Sequence, residues 1–270
     1  MNIRFALSLT SAVAAASLSA GCTGAAAESP DRRDHPTVVL VHGAFADSSS
    51  WNGVIKALEA DGYPIIAAAN PLRGLTSDAA YVRSVVDSVA GPVVLAGHSY
   101  GGTVISEAAD RSPNVKALVY VASFLLDVGE STGQLAAKFP GAELGPALDA
   151  VPYPLPEGGT ADELYIKQDQ FAKVFAADVP TEAATLMAAT QRPIAAAALA
   201  DPATKAAWKT IPSWNMVTTK DLAIPAESMR FMGDRARSHT VEIDASHAVT
   251  VSRPEAVADL IDQAADATNS

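Results

Sequence analysis

Pro92-Val93-Val94-Leu95-Ala96-Gly97-His98-Ser99-Tyr100-Gly101-Gly102-Thr103-Val104 decides how the rest of the chain is read. Val93 to Ala96 is a short apolar run of strand type, and Thr103 onward (Thr103-Val104-Ile105-Ser106-Glu107-Ala108-Ala109) carries a helical pattern. Between them stands a Gly-x-Ser-x-Gly turn. A strand, a tight turn and a helix is the setting in which a serine is forced into strained backbone with its hydroxyl exposed above the end of a sheet. Gly97 and Gly101 fit places where neighbouring backbone comes too close for a Cβ. The pentapeptide alone also occurs in plain glycine-rich loops; the flanking strand and helix favour Ser99 as a nucleophile.

Working outward, the same alternation recurs. Thr37-Val38-Val39-Leu40-Val41 is a continuous β-branched run, as expected of a strand buried on both faces of a parallel sheet. Trp51, Val54, Ile55 and Leu58 follow at helical spacing, closed by Asp61-Gly62. Tyr63 to Ala69 reads as a second strand, and Ser77 as the cap of a helix carrying Tyr81, Val82, Val85, Val86 and Val89. Val115 to Ala122 is the strand after the Ser99 helix. Repeated strand-helix units imply right-handed crossovers and an α/β fold with a doubly wound, mostly parallel sheet.

The rhythm stops after Ser123. Residues 124–208 contain no apolar run of strand type, only Pro- and Gly-rich turns around 151–159 and helical pieces at Asp162 to Ala177 and Thr181 to Thr190. We read this stretch as a helical cap inserted over the catalytic end of the sheet, since functional loops lie at the C-terminal strand ends of such folds. An ordinary helical layer is the competing interpretation. Strand and helix return with Ser213 to Thr218, a helix from Ala226, Thr240 to Ile243, and a last helix after Arg253-Pro254. The core is therefore expected from residues 37–123 and 209–270.

The 270 residues are 49% hydrophobic, enough for one substantial core, and carry a net charge of −11. Basic residues never cluster beyond Arg32-Arg33, which argues against a nucleic-acid surface. Residues 1–27, with Arg4 ahead of an uncharged run from Phe5 to Ala20, read as a signal peptide, and residues 28–36 as a linker. Two processing sites compete: Ala25-Ala26-Ala27 before Glu28, and the lipoprotein-like Leu18-Ser19-Ala20-Gly21-Cys22. The expectation is export to a periplasmic or extracellular location, with a membrane link only through a lipid on Cys22. Cys22 is the single cysteine, so no intramolecular disulfide forms. There is no His-x-x-x-His pair, no paired cysteines and no Walker loop, and we expect no metal and no cofactor. Composition does not speak to oligomeric state.

A serine hydroxyl needs a base at neutral pH. Of the five histidines, His35 lies in the linker, His42 and His98 in the turns after two strands, and His239 before a strand. His247 sits in the loop between the last strand and the last helix, from which a side chain can reach the Ser99 turn. The base needs a carboxylate to hold its tautomer. Asp221, at the end of the Ser213 to Thr218 strand, is preferred because it completes the chain order Ser, Asp, His. Asp127 after the fourth strand competes, and Asp244 is closer in sequence than a partner needs to be. The two oxyanion donors expected with such a turn are the backbone N–H groups of Tyr100 and Ala44. Phe45, Trp51, Tyr100, Phe124 and Leu125 are candidates for an apolar pocket, with Phe171 and Phe175 from the inserted segment.

Val41-His42-Gly43-Ala44, Gly97-His98-Ser99-Tyr100-Gly101-Gly102, Thr218-Thr219-Lys220-Asp221-Leu222-Ala223-Ile224-Pro225 and Ser246-His247 together resemble the α/β-hydrolases. More narrowly they resemble the branch of plant methylesterases, hydroxynitrile lyases and bacterial relatives, over residues 37 to 264. The resemblance implies a serine esterase with Asp221 as the acid. Lyases of that branch typically have a lysine after the histidine and a threonine in place of the motif glycine; here Ala248 and Gly43 stand there. A small-molecule carboxylic ester with an apolar acyl or alcohol part is the expected substrate. A lyase, or a ligand-binding protein that retains the fold without turnover, are the alternatives.

Overall fold

The computed structural model describes residues 35–269. The signal-peptide expectation, and the linker apart from His35 and Pro36, lie outside the described residues. Strand β1 (Thr37–Val41), helix α1 (Asn52–Ala60), β2 (Ile65–Ala68), α2 (Leu75–Asp87), β3 (Val93–His98), α3 (Tyr100–Ala108) and β4 (Val115–Val121) follow in order. The intervening segment holds α4 (Thr132–Ala136), β5 (Leu148–Pro154), β6 (Thr160–Ile166), α5 (Gln168–Val174), α6 (Thr181–Thr190), β7 (Ile194–Ala195) and α7 (Ala196–Ala200). The chain closes with β8 (Ser213–Thr218), α8 (Ala226–Ala236), β9 (His239–Ile243), α9 (Val249–Ser252) and α10 (Pro254–Asp266).

Six strands form a parallel sheet in the order β2-β1-β3-β4-β8-β9. The order follows from burial. Every residue of β3 and β8 is buried, whereas β9 (His-Thr-Val-Glu-Ile) is almost wholly exposed and the short apolar β2 is half-buried, so the less buried strands take the edges. Helix α2 packs on α3, and α1 on α10. Their apolar stripes cover the sheet: α10 lies against β3, β4 and β8, and α3 against β1, β3 and β4. The Gly53 position permits the close α1–α10 approach, because a Cβ there would meet the Pro254 ring at 2.7 Å.

Residues 124–208 are not purely helical. Besides four short helices they contain an antiparallel sheet, β5-β6-β7. Most of β5 is solvent-exposed and its apolar residues are interrupted by Asp149, Pro152 and Pro154, while β6 begins Thr-Ala-Asp-Glu, so neither produces an apolar run. Pro152 and Pro154, which suggest turns in the sequence, are accepted because β5 is an edge strand with no neighbour on one side. The turn proper is residues 155–159, closed by Leu155 N–H to the Gly159 carbonyl at 3.1 Å. The helix expected over Asp162 to Ala177 begins only at Gln168, and the one expected over Thr181 to Thr190 is present with those bounds.

This insertion is fastened to loops that follow C-terminal strand ends. Phe45 N–H donates to the Arg192 carbonyl (3.0 Å), Ala195 N–H to Leu72 (2.9 Å), Glu143 N–H to Leu222 (2.7 Å) and Ala248 N–H to Phe175 (2.9 Å). Those loops leave β1, β2, β8 and β9, so the inserted segment lies at the sheet end to which Ser99 belongs.

Candidate active site

Ser99 links β3 to α3 with φ 54° and ψ −126°, a backbone region that costs a non-glycine residue about 1–3 kcal/mol. The neighbours hold it there. Ser99 N–H donates to Val121 (3.2 Å), while its own carbonyl accepts from Gly102 N–H (3.0 Å) and Ser123 Oγ (2.6 Å). A Cβ on Gly97 would meet the Gly101 carbonyl at 2.6 Å, and one on Gly101 would meet the His42 carbonyl at 3.1 Å. The glycines are thus fixed by backbone-on-backbone crowding, which no side-chain movement relieves.

His247 is brought to this turn from the far end of the chain. Its backbone carbonyl accepts from His98 Nε2 at 2.8 Å, and the two imidazoles stand 4.8 Å apart. His98 immediately precedes Ser99. His247 Nδ1 donates to Asp221 Oδ2 at 2.7 Å, which leaves Nε2 as the ring's free lone pair. Asp221 is saturated: Oδ2 also accepts from Thr218 Oγ1 (2.9 Å), and Oδ1 from the N–H groups of Ala223 and Ile224 (2.8 Å each). The competing carboxylates are elsewhere. Asp127 pairs with Lys209, whose ammonium holds its carboxyl below the usual carboxylate range, and Asp244 is exposed.

The loop after β1 presses on the serine. A Cβ at Gly43 would stand 2.6 Å from the Ser99 Cβ and 2.7 Å from the His98 carbonyl, so a threonine here would require the loop to move. Ala44 follows, and then Phe45, whose φ of 61° is unusual for a bulky residue. Among the described residues, neither the Ala44 nor the Tyr100 N–H donates to a protein acceptor. The Tyr100 side chain is buried and its hydroxyl donates to Asp78 Oδ2 at 3.0 Å, so it does not line a pocket.

Two further histidines support the site from below. Burial pushes His42 down to about 4, partly offset by its hydrogen bond to the Gly43 carbonyl. Burial, with His247 and His42 nearby, pushes His98 down to about 3. Both rings are neutral in the fold and take a proton in the unfolded chain below pH 6.5. Between pH 6.5 and about 4 the unfolded state binds more protons, so stability is lost as pH falls, by about 2 kcal/mol for each histidine at pH 5. Asp78, raised by burial, contributes in the opposite sense. Urea unfolding at pH 7.5 and 5 should show a loss about 2 kcal/mol smaller in His98→Gln than in the wild type. An identical pH dependence in the two proteins would refute the buried neutral His98.

A model of the alpha/beta hydrolase family matches residues 38–260. The chain belongs to that family. A pyrethroid hydrolase of Sphingobium wenxiniae is 28% identical over 257 residues, covering 85% of this chain and 88% of that protein. An alpha/beta hydrolase of Aspergillus novofumigatus is 27% identical over 252 residues, covering 85% and 96%. The crystal structure of polyneuridine aldehyde esterase superposes with a TM-score of 0.74 at 20% identity, covering 85% of this chain and 98% of that one.

Within this alpha/beta hydrolase, the expected pocket residues fall into different layers. Phe175 packs edge-on against His247 (4.8 Å between rings) and against Phe45 (6.4 Å). Phe171 is fully buried and packs tilted against Phe175, 5.0 Å between ring centroids. Trp51 is fully buried in the core, edge-on to His98. Phe124 is buried as well, and Leu125 is tied to α8, its N–H to Met232 Sδ (3.2 Å) and its carbonyl to Arg235. A groove borders Phe45, one of the expected pocket residues. It has a volume of about 370 Å³ and runs between the 3₁₀ turn Ser48–Trp51 and α6, with Phe45 as a shared wall. Leu186, 62% exposed, and Met187 form its opposite side. Nothing in the helical pattern of α6 marks Leu186 as a wall, because what makes it one is the turn facing it.

Proposed function

We propose that this hydrolase cleaves carboxylic esters of small, uncharged and largely apolar substrates through Ser99, His247 and Asp221. The observation that carries the reading is the Asp221–His247 pair held, through His98, beside a serine in strained backbone. His247 Nε2 takes the Ser99 proton as Oγ attacks the ester carbonyl, and Asp221 stabilises the resulting imidazolium. The Ala44 and Tyr100 N–H groups receive the developing oxyanion. His247 returns the proton to the departing alkoxide, leaving an acyl group on Ser99. Water deprotonated by His247 then attacks the acyl carbon, and the carboxylic acid leaves.

The substrate class rests on the groove. Among the described residues no lysine or arginine lines it, and its single carboxylate, Asp47, accepts at Oδ1 from Ser49 N–H (2.7 Å) and Ser49 Oγ (2.6 Å). Phe45, Leu186, Met187 and Val251 supply apolar walls, while Asn52, Thr190 and Gln191 supply neutral polar groups. The inserted segment acts as a cap that sets which acyl and alcohol groups fit. Gly43 and Ala248 stand where a lyase would need other side chains, and no geometry here favours that reading. The leader-like composition of residues 1–27 supports action outside the cytoplasm.

The test is turnover of p-nitrophenyl esters from acetate to octanoate, combined with fluorophosphonate labelling. We expect hydrolysis with a rapid initial burst, stoichiometric loss of activity on labelling, and the phosphonyl group on the peptide containing Ser99. Ester turnover with the label elsewhere, or none with Ser99 unlabelled, would sink the proposal.

A further inference from the structure

Asp78 is a fully buried carboxylate that the proposed reaction does not use. It stands in the first turn of α2, where Oδ1 and Oδ2 accept from Arg73 N–H at 3.1 and 3.2 Å, and Oδ2 lies 3.5 Å from Gly74 N. Those contacts cap the helix, as an acid near the start of a helix commonly does. The cap does not require the third donor. Tyr100 O–H, from a different element, donates to Oδ2 at 3.0 Å. Tyr100 is the residue directly after Ser99. Burial beside Asp78 raises its hydroxyl far above any working pH, so it remains a donor throughout.

The carboxylate is itself anchored on its other side. The segment Leu72–Leu75 is clasped by the insertion: Arg73 pairs with Glu163 of β6 (2.6 Å) and lies over the Tyr153 ring of β5 (4.7 Å). Leu72 accepts from Ala195 of β7 at 2.9 Å, and Leu75 N–H donates to Asp201 at 3.0 Å. A residue held by loop and helix together can serve as a fixed post for whatever it bonds next.

We propose that Asp78 is a positioning residue for ester hydrolysis, which through the Tyr100 hydroxyl fixes the Tyr100 N–H in the direction of the oxyanion. The proposal rests on the serine-hydrolase reading above. Tyr100 begins α3, and its N–H has no intrahelical acceptor to orient it. Its side chain is joined to the same Cα, so anchoring the hydroxyl limits rotation of that first turn. Oxyanion donors act only when placed on the transition-state oxygen, and a displacement of about 1 Å costs roughly 10²-fold in rate.

The experiment compares wild type, Tyr100→Phe, Asp78→Asn and the double variant. Active sites are counted by fluorophosphonate titration, so that kcat refers only to folded, labelled enzyme. Tyr100→Phe keeps the ring and removes the donor. We expect kcat per titrated site to fall about 10- to 100-fold with KM within about threefold. Inhibition by a trifluoromethyl ketone, which forms an oxyanion on Ser99, should weaken by the same factor as kcat/KM. The double variant should be no slower than the slower single one, because without the Tyr100 hydroxyl the side chain at position 78 has nothing left to position. A purely structural role would lower the titrated fraction and leave kcat per site and ketone affinity unchanged; that result overturns the proposal. If Asp78→Asn does not fold, Tyr100→Phe decides alone by the same two readouts. Wild type that neither labels at Ser99 nor turns over ester would instead defeat the serine-hydrolase reading.

Discussion

Ser99→Ala and His247→Ala are each expected to lower kcat by about 10⁶-fold, and the double variant is expected to lose no more than either single one. In a serine protease where the series is known, losing the nucleophile or the base alone costs about 2 × 10⁶, as much as losing the whole set. In the proposed mechanism Ser99 Oγ attacks only as its proton leaves, and in that step His247 Nε2 takes its proton from that hydroxyl. Either residue without the other has no reaction to assist. The residual rate comes from groups neither substitution touches, the Ala44 and Tyr100 N–H donors and the groove walls. They should keep the double variant about 10³–10⁴ above the reaction in water. The measurement is hydrolysis of p-nitrophenyl butyrate by all three variants. A His247→Ala enzyme within tenfold of wild type would assign the base elsewhere, and His98 and His42, both buried and neutral, offer no replacement.

How much of this could be read from the sequence depends on whether a feature is enforced locally. The Ser99 turn was legible because its glycines answer to backbone contacts that any strand-turn-helix of that form creates. Asp221 and His247 were legible by their order relative to β8 and β9, and the structure does bring them within one hydrogen bond. The insertion was legible as an interruption but not in its content. β5 and β6 pair with each other at the surface, and β5 exposes Ala150, Val151, Pro152 and Pro154 along with Asp149, so it lacks the apolar-polar alternation that marks a half-buried strand. Phe171 and Phe175, four residues apart, share a helical face, and spacing cannot say which of two such rings is the outer. The structure sets Phe175 against His247 and Phe171 behind it. Asp78 had no signal beyond a helix-capping acid, because its link to Tyr100 exists only after α2 and α3 pack.

Asp221→Asn should lower kcat by about 10⁴-fold with little loss of stability, the size seen when the matching acid of a serine protease is made an amide. The direction follows from the four donors around the carboxylate. Oδ1 faces two backbone N–H groups, of Ala223 and Ile224, whereas Oδ2 faces the Thr218 hydroxyl and His247 Nδ1. An asparagine must keep its carbonyl oxygen on the two N–H groups, since turning the amide would set donor against donor at both. Its NH₂ therefore meets Thr218 and His247. The threonine hydroxyl can rotate and accept. The imidazole can accept at Nδ1 only by moving its proton to Nε2, and Nε2 then has no lone pair for the Ser99 proton. Bonds are preserved while the tautomer is inverted, so the fold survives and the base does not. Asp127→Asn provides the contrast: its carboxylate is partly exposed and, among the described residues, bonded to Lys209 and Val128 N–H, so rate and stability should both stay near wild type. The two variants are to be compared by kcat on p-nitrophenyl butyrate and by urea midpoint. The assignment of Asp221 is wrong if Asp127→Asn proves the slower enzyme, and the tautomer argument is wrong if Asp221→Asn retains more than about a tenth of the wild-type kcat.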